Sequence, residues 1–558
     1  MVKRIITVLN KEVRGLHEAA YLLAFFSFLS QLLALGRDRM LAHIFGAGQS
    51  LDIYYAAFKI PDFITAFIAS AVSISVLVPF IVERLGKSYE DEKRFVDSLF
   101  TVFLSAMVVA SVIAFIAAPI ILSYIYPGLT VAAHGELVLL TRILLLQPIL
   151  LGISNFLGGI TQAHQRFVAY AISPVVYNLG IVIGIAVLLP IAGLPGIVYG
   201  VLIGSTLHLL LQLPFIVERK LLPAVIRKID WQATRKVFLL SLPRTCALSL
   251  SSISLIALTS FASKMIEGSI SVFSFAWNLQ SVTLSVVGVS YSLAAFPTLS
   301  RYFTEGSLDK FAESIVLSLR HIIFWTIPIT VLFIVLRAQV VRTVLGSGNF
   351  DWNDTRLTAA SLAIFTVSAL AQAVILLLVR GYYAAGMTKK PLIINAIGAV
   401  LIVVVSYLSL LFFNTSTFFA SFIESLLRVE GIQGTSVLML SLGYTIAMLI
   451  NALVLWFIFA RDFKGVSSII GDVFWKTFAA SIIMGTVAYE SLNLFDKIFD
   501  ITTLIGIFLQ GLFAGIIGIL AGIIILKLLK SKELSDVWTT LHTKVTKVKM
   551  VVSEQDIH

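Results

Sequence analysis

The segment Ser98–Leu122, SLFTVFLSAMVVASVIAFIAAPIIL, runs for 25 residues without one charged side chain. A helix of about 20 apolar residues crosses the roughly 30 Å hydrocarbon core of a bilayer, so this segment is long enough to span a membrane. The whole chain has the same character, because 58% of its 558 residues are hydrophobic and 13% are charged. A water-soluble core cannot bury so much apolar surface, and the bilayer must therefore be the solvent.

Further segments of similar length predict about 14 transmembrane helices and an all-α polytopic membrane protein. An even number of spans places both termini on the same side of the membrane. The predicted spans are 19–36, 56–82, 98–122, 137–162, 170–190, 195–217, 237–262, 270–298, 312–336, 357–380, 391–413, 435–460, 472–493 and 502–527.

Positive charge is distributed unevenly between the two sides of this topology. Of the 41 Lys and Arg residues, 30 fall in or beside the tails and the loops on their side, nine fall on the other side, and two lie inside spans. The positive-inside rule then places both termini in the cytoplasm. The net charge of +11 follows from these loops, which face anionic lipid head groups, so it does not indicate a nucleic-acid partner.

A faint internal repeat suggests how the spans are grouped. Val78-Pro79-Phe80 and Phe296-Pro297-Thr298 are 218 residues apart, and Gly159 and Gly381 are 222 apart. Near-constant offsets predict two parallel six-helix bundles followed by two extra helices, although short matches in apolar sequence also arise by chance. The predicted units are a cytoplasmic amphipathic segment (1–18), an N-lobe (19–217), a cytoplasmic linker (218–236), a C-lobe (237–460), spans 13 and 14 (461–529), and a basic cytoplasmic tail (530–558).

The residues around Arg37 and Asp38 are the strongest candidates for a functional site. If the first helix continues to about Phe45, both charges lie within it, and Gln31 shares a face with Asp38. A charge at membrane depth costs at least about 2.5–3.5 kcal/mol, so it should face a partner or a water-filled cavity. The alternative is an ion pair that caps the helix at the interface, and the residues alone leave both readings open.

Two further cations could face a cavity. Arg244 follows Pro243 seven residues into the seventh span, and it either binds a phosphate or extends to the interface. Lys59 precedes Pro61 and is either an interface anchor or a cavity cation. Enzyme motifs are missing from the sequence, its histidines are scattered, and Cys246 is its only cysteine, so we expect neither catalysis nor a metal site nor a cofactor.

Several motifs resemble the MurJ (MviN) family of lipid II flippases in the multidrug/oligosaccharidyl-lipid/polysaccharide exporter superfamily. The resemblance implies alternating access, in which two bundles bind the head group of an undecaprenyl-diphosphate-linked peptidoglycan precursor in a cationic cavity. It also assigns Arg37 and Asp38 to that cavity. The matching motifs are Gly36-Arg37-Asp38, Phe45-Gly-Ala-Gly48, Asp52-Ile-Tyr-Tyr-Ala-Ala-Phe-Lys59-Ile-Pro61, Val78-Pro79, Gln165-Arg166-Phe167, Pro174 with Asn178, Ala295-Phe296-Pro297-Thr298-Leu299-Ser300 and Thr388-Lys389-Lys390-Pro391.

Three positions depart from the family pattern, because Gln31, Thr65 and Asn278 stand where relatives often carry arginine. Amides and hydroxyls can still donate hydrogen bonds, and Arg244 and Lys59, with Arg142 as a further candidate, are expected to compensate in part for the lost charge. The resemblance together with the residues predicts conformational hinges at four positions: Gly36, Pro61, Pro79 and Pro297.

The predicted function is a flippase for lipid II, with membrane lipids around it and the peptidoglycan synthesis machinery as a further partner. Na⁺, H⁺ or the membrane potential would drive transport. The alternatives are a flippase for another polyprenyl-linked glycan, a cation-coupled drug exporter, or a non-transporting scaffold of envelope synthesis.

Overall fold

The computed structural model describes residues 16–68, 80–81, 89–463, 465 and 470–539. Within these ranges the backbone forms helices and connecting turns, and none of the described residues lies in a β-strand. The amphipathic segment predicted before residue 16 and most of the predicted basic tail lie outside the described residues.

Seventeen helical elements organise the described chain. They are α1 (Leu16–Phe45), α2 (Gln49–Ala57), α3 (Lys59–Ile68), α4 (Tyr89–Ile125), α5 (Val131–Ala163), α6 (Phe167–Ala192), α7 (Leu194–Glu218), α8 (Trp231–Ala262), α9 (Ser269–Thr304), α10 (Leu308–Val335), α11 (Arg337–Val344), α12 (Trp352–Ala384), α13 (Lys389–Thr415), α14 (Thr417–Leu427), α15 (Thr435–Asp462), α16 (Ile470–Phe495) and α17 (Leu504–Leu528).

Twelve stretches of the described helices are long and apolar enough to cross a membrane, and they correspond to the predicted spans 3 to 14. Their outer faces carry bare apolar side chains such as Ile116, which is 69% exposed, and Phe457, which is 72% exposed. Such faces are stable only against lipid tails. The polytopic all-α prediction is therefore confirmed. The first predicted span lies inside α1 and the second is described only at α3 and 80–81, so the count of fourteen stays a prediction.

Helices of the first half pack closely because small residues face each other. Gly180 and Gly184 of α6 lie against Gly204 and Gly200 of α7, and a Cβ on any of the four would come within 2.3–2.6 Å of the facing backbone. Four-residue spacing of glycine on both helices permits this approach, which gives van der Waals contact where lipid offers no hydrophobic driving force. Helix α6 also packs against α1, so it supports the helix that carries Arg37.

The second half has its own core around α12. Helix α12 lies between α10 and α15, and α15 packs in turn against α13. Aromatic side chains fill the centre of this core, where Phe459 contacts Tyr382 edge-on with ring centroids 5.0 Å apart. The last two helices, α16 and α17, pack on each other, and α16 packs on α10, so they are attached to the outside of this half.

The segment between the two halves lies along α4. The Lys93 ammonium donates to the Leu222 carbonyl at 2.9 Å, the Ala224 N–H donates to Asp97 at 2.8 Å, and the Asp230 N–H donates to the hydroxyl of Ser98 at 3.0 Å. Helix α8 begins at Trp231, inside the predicted linker. The linker is therefore held on the N-lobe up to the first turn of the C-lobe.

Candidate functional site

Helix α1 continues without a break through Gly36 to Phe45 and places Arg37 and Asp38 between the two halves. The Arg37 guanidinium donates from Nε at 2.9 Å and from Nη2 at 2.8 Å to the same oxygen, Asp38 Oδ1. Asp38 is 3% exposed. A carboxylate this deeply buried needs a partner, and its own helix supplies one.

The other oxygen of Asp38 is bound from the opposite lobe. Asn278 of α9 donates from Nδ2 to Asp38 Oδ2 at 3.0 Å. Within the N-lobe, Arg37 Nη1 donates to Asn178 Oδ1 at 3.3 Å, and Asn178 Nδ2 donates to the Ser30 hydroxyl at 3.0 Å. One carboxylate thus joins a cation of the N-lobe to an amide of the C-lobe.

A second pair of opposite charges lies beside the first. Lys59 and Asp62, three residues apart on α3, interact electrostatically, and Asp62 also acts on the phenols of Tyr54 and Tyr177. The Asp62 side chain is exposed, although it lies close enough to Lys59 and to the phenols of Tyr54 and Tyr177 to interact with them electrostatically.

The charges of this region balance among the described side chains. We call Arg37, Asp38, Lys59, Asp62 and Asn278 the central polar cluster. Its two cations and two carboxylates carry no net charge. The family resemblance implied a cationic cavity, whereas the described part of this cluster has two cations and two carboxylates, with Arg37 in direct contact with Asp38 and Lys59 near Asp62.

The remaining predicted residues are found at different places. Gln31 is half-buried on α1 and the Thr65 hydroxyl donates to the carbonyl of Pro61 at 3.0 Å, within its own helix. Arg244 belongs to α8, which packs against α3, but its side chain lies outside what the structure describes. Pro79 also lies outside the described residues, so its predicted equivalence with Pro297 is not tested.

Pro61 produces a break in the chain next to the cluster. Proline has no N–H, so the carbonyl of Ala57 loses the donor that a continuous helix would provide. The hydroxyl of Thr141 donates a long hydrogen bond to that carbonyl at 3.5 Å. The chain turns at Phe58, between α2 and α3. Pro297 lies inside α9, after a π-helical segment at Leu284–Val289. Both prolines interrupt regular hydrogen bonding, which suits their predicted role as hinges.

The two lobes meet a second time at one end of the bundle, around Asp52 of α2. Its Oδ2 accepts from the Gly268 N–H at 2.8 Å, and its Oδ1 accepts from the Ser271 N–H at 2.7 Å and the Ser271 hydroxyl at 2.6 Å. Burial raises the pKa of Asp52 to about 6, and these hydrogen bonds limit the rise. Asp52 is 5% exposed and binds the first turn of α9, where the helix dipole favours a negative charge.

Backbone contacts complete this junction, which we call the closed end. The Asn349 N–H donates to the carbonyl of His43 at 2.9 Å, and the Ala47 N–H donates to Asp354 at 3.0 Å. A Cβ on Gly128 would lie 1.9 Å from the carbonyl oxygen of Ser263, closer than real Cβ atoms approach. Gly128 therefore allows backbone of the two lobes to touch directly.

Sequence reasoning missed several members of these sites. Asp62 follows Lys59 by three residues, a spacing that places both on one helix face, so this pair could have been predicted. Asp52 appeared in a recognised motif without an assigned role. Tyr177 and Asn178 reach the cluster from α6, about 140 residues along the chain from α1, and no local spacing indicates that contact.

The sequence is similar to one family of known proteins. A family model described as Lipid II flippase MurJ matches residues 41–513. The Lipid II flippase MurJ of Burkholderia cenocepacia is 25% identical over 386 residues, which cover 68% of this chain and 75% of that protein. The probable lipid II flippase MurJ of Haemophilus influenzae is 26% identical over 394 residues, which cover 67% and 77%.

Solved structures agree with these matches at the level of the fold. A structure described as Lipid II flippase MurJ in an inward closed conformation superposes with a TM-score of 0.71 at 22% identity, covering 93% of this chain and 99% of that one. An inward-facing multidrug resistance MATE family transporter of the MOP superfamily gives a TM-score of 0.62 at 15% identity, covering 79% and 96%. The predicted superfamily fold is confirmed.

Proposed function

The chain belongs to the Lipid II flippase MurJ family, and we propose that it moves lipid II, the undecaprenyl-diphosphate-linked peptidoglycan precursor, across the bacterial inner membrane by alternating access. The family match covers residues 41–513, which include the closed end and Lys59, Asp62 and Asn278 of the central polar cluster, while Arg37 and Asp38 lie just before its start. Transport of an amphiphile requires a polar path between the lobes for its head group, while its tail stays in lipid.

One observation carries the mechanism, namely that Asp38 is shared between Arg37 of the N-lobe and Asn278 of the C-lobe. A diphosphate has the charge and the oxygen geometry to replace a carboxylate on a guanidinium. If it takes Arg37 from Asp38, the carboxylate is left buried without a cation, which is unfavourable until it is hydrated, and the hydrated carboxylate no longer needs Asn278 of the other lobe. Head-group binding and the contact between lobes are thus alternatives, which is the coupling that alternating access needs.

The balanced charge of the cluster also accounts for selectivity. In the absence of substrate the paired cations do not attract small anions strongly, because each already has a carboxylate nearby. A ligand must supply two or more phosphate charges at once to displace them. Gln31, Thr65 and Asn278, which stand where relatives often have arginine, would then contribute hydrogen bonds to the sugar or phosphate oxygens.

The predicted topology indicates to which side of the membrane each conformational state opens. With both termini in the cytoplasm, the closed end faces outward, and the described arrangement is one that receives substrate from inside. Opening of the contacts around Asp52 would release the head group on the outer side. A cation gradient or the membrane potential would reset the lobes, and the peptidoglycan synthesis machinery would take up the product.

Complementation of a conditional lipid II flippase mutant tests the proposal directly. We expect the wild-type gene to restore growth and cell shape, and Arg37→Gln to fail at equal expression. Arg142→Gln serves as the control, because Arg142 donates to the Phe115 carbonyl at 3.1 Å, away from the cluster. Growth restored equally by all three genes would contradict the role of Arg37, and failure of wild type would contradict the substrate.

Binding measurements separate lipid II from other substrates. Purified protein should bind lipid II more tightly than a prenyl glycan with a neutral head, and Arg244→Gln should weaken lipid II binding by roughly one to two decades if its guanidinium reaches phosphate. Equal affinity for both lipids would favour another polyprenyl-linked glycan. Absence of binding to either would favour the scaffold.

A further inference from the structure

A separate cationic pocket lies on the C-lobe side of the closed end. It has a volume of about 620 Å³ and is bounded by the end of α10, the starts of α11 and α12, the turn after α14, and the facing ends of α16 and α17. It joins the six-helix C-lobe to the two extra helices. None of the residues of the central polar cluster lines it.

Three arginines from three separate segments line this pocket. Arg337 donates to the Leu427 carbonyl at 3.0 Å, Arg356 donates to the Arg428 carbonyl from Nε at 3.1 Å and also from Nη2, and Arg428 donates to the Tyr489 hydroxyl at 3.0 Å. All these acceptors are neutral. Each guanidinium has five N–H donors, so most of the donors of the three remain available to a ligand.

Negative charge near the pocket does not balance the arginines. Asp496 lines the rim and is exposed, and no carboxylate of the described residues makes an ion pair with Arg337, Arg356 or Arg428 within 4.0 Å. Glu430 lies nearby and fully exposed; its pKa is lowered mainly by its own backbone N–H and by Ser425, and less by Arg356 and Arg428. The pocket therefore keeps a positive charge.

The arginines also repel one another. Burial and the neighbouring charge of Arg428 lower the pKa of Arg337, although a guanidinium stays protonated. Like charges at short range destabilise the empty arrangement, and an anion between them would remove that repulsion. The geometry thus favours an anionic ligand over an empty pocket.

Part of the remaining wall is apolar, and the helix ends that bound the pocket indicate that it lies at the level of the membrane interface. Ile334, Val335 and Leu492 line it, Arg337 comes two residues after α10 ends, and Arg356 lies in the second turn of α12. Guanidiniums at helix ends beside an apolar wall match a molecule with a phosphate at the interface and a hydrocarbon part in the bilayer.

We propose that this pocket binds the phosphate of a lipid head group at the closed-end face of the membrane. Two sources share this chemistry: an anionic bilayer phospholipid, and the polyprenyl diphosphate of the transported lipid. The first is independent of the transport function, and the second rests on it. In either case Arg337, Arg356 and Arg428 bind phosphate oxygens while Ile334, Val335 and Leu492 contact the hydrocarbon.

Native mass spectrometry of the detergent-solubilised full chain can test this assignment. The probes are phosphatidylglycerol, undecaprenyl diphosphate, and diacylglycerol, which has the hydrocarbon chains without phosphate. We expect the phosphate lipids to bind, diacylglycerol not to bind, and the triple variant Arg337→Gln, Arg356→Gln, Arg428→Gln to weaken phosphate-lipid binding at least thirtyfold. Arg142→Gln is the matched control, and we expect it to bind like wild type.

The outcomes distinguish the sources and can overturn the site. Preference for phosphatidylglycerol assigns the pocket to bilayer lipid, and preference for undecaprenyl diphosphate assigns it to the transported lipid. Unchanged affinity in the triple variant, or equal binding of diacylglycerol, would overturn the proposal. If the triple variant does not fold, the single variant Arg428→Gln tests the site instead, because Arg428 is exposed. This variant should weaken phosphate-lipid binding about tenfold. Unchanged binding would reject the site. Flippase complementation is scored separately, so its failure does not affect this test.

Discussion

The two lobes meet at the centre and at the closed end, and a buried aspartate forms each junction in a different way. At the centre Asp38 binds a cation of its own helix and only one amide of the other lobe. At the closed end Asp52 has three donors, all from the other lobe and all uncharged. An arriving anion can compete for the cation at the centre. Among the described residues, the donors to Asp52 include no cation, so an arriving anion has none to take from it.

This difference separates two tasks. The central junction responds to substrate because its ion pair can exchange one anion for another. The closed-end junction holds the lobes together through backbone groups whose positions change only when the lobes move. Substrate binding thus depends on an ion pair at the centre, whereas closure depends on uncharged hydrogen bonds at the closed end, and both junctions join the same two lobes.

The largest expected effect comes from removing the exchangeable cation. Arg37→Gln keeps a donor for Asp38 but loses the charge, so we expect transport to be lost while folding is retained. The measurement is lipid II translocation in reconstituted vesicles, with Arg142→Gln as the control and thermal melting as the check on folding. Translocation above half of the wild-type rate would show that the centre does not work by anion exchange.

A paired substitution sharpens this prediction. Asp38→Asn with Asn278→Asp keeps one carboxylate and one amide at the junction but moves the negative charge to the C-lobe. We expect the double variant to stay inactive, because Arg37 would then pair across the lobes and resist their separation. Recovery of transport in the double variant, compared with Asp38→Asn alone, would show that only the total charge matters.

The next effect tests the backbone contact at the closed end. A Cβ on Gly128 would lie 1.9 Å from the oxygen of Ser263, so Gly128→Ala should prevent closure and reduce transport at least tenfold. Gly135→Ala is the matched control, because a Cβ there meets nothing within 4 Å. Spin labels at Gln49 and Glu267, whose side chains bond across the lobes at 3.0 Å, would report the separation in a Cys246→Ser background.

Unchanged label distances in Gly128→Ala would contradict the direct contact between Gly128 and Ser263. An equal loss of transport in Gly135→Ala would instead show that the connection between α4 and α5 is sensitive to any added side chain. Only a loss confined to Gly128→Ala supports the backbone junction.

The fold could be predicted from the sequence because span length and hydrophobicity are local properties. The Arg37 and Asp38 position was predictable for a similar reason, since two charges in an apolar helix are conspicuous. Their contacts were not, because Asn178 and Asn278 come from helices about 140 and 240 residues away, and only the family resemblance pointed to Asn278 as a cavity residue.

The three arginines of the cationic pocket were also not predicted to lie together, for the same reason. Arg337, Arg356 and Arg428 come from three segments, and no single loop contains the cluster. The zero net charge of the central polar cluster could not be predicted either, because a count of the cations in relatives does not show which carboxylate lies next to each cation.

A smaller effect concerns pH and Asp52. Because burial raises its pKa to about 6, above its ordinary value of 3.8, the closed arrangement binds the proton more tightly than a hydrated open one. Closure should therefore strengthen as pH falls through 6 towards 4 and should stay at its weakest and constant above about 6, with a full difference of at most about 3 kcal/mol. The Gln49 and Glu267 label distances at pH 7.5 and 5 would measure it.

Asp52→Asn is the decisive variant for this prediction, because an amide does not titrate in that range. Its label distances should be the same at both pH values. A pH response that persists in Asp52→Asn would assign the titration to another group, and a wild type without any response would show that Asp52 stays equally solvated in both states.

The smallest effect concerns Gly36, which directly precedes the central junction on the helix that reaches both junctions. Helix α1 carries Arg37 and Asp38 at the centre, and Arg39, which donates to the Thr343 carbonyl at 2.7 Å, at the closed end. A Cβ on Gly36 meets nothing within 4 Å, so Gly36→Ala should raise stability by about 0.5–1 kcal/mol through helix propensity. If Gly36 is the predicted hinge, stiffening it should slow transport about twofold despite the added stability. Thermal melting and vesicle translocation measure the two quantities independently. A more stable variant with unchanged transport would mean that transport does not depend on bending of α1 at Gly36, so that the helix carries Arg37 and Asp38 as a rigid body.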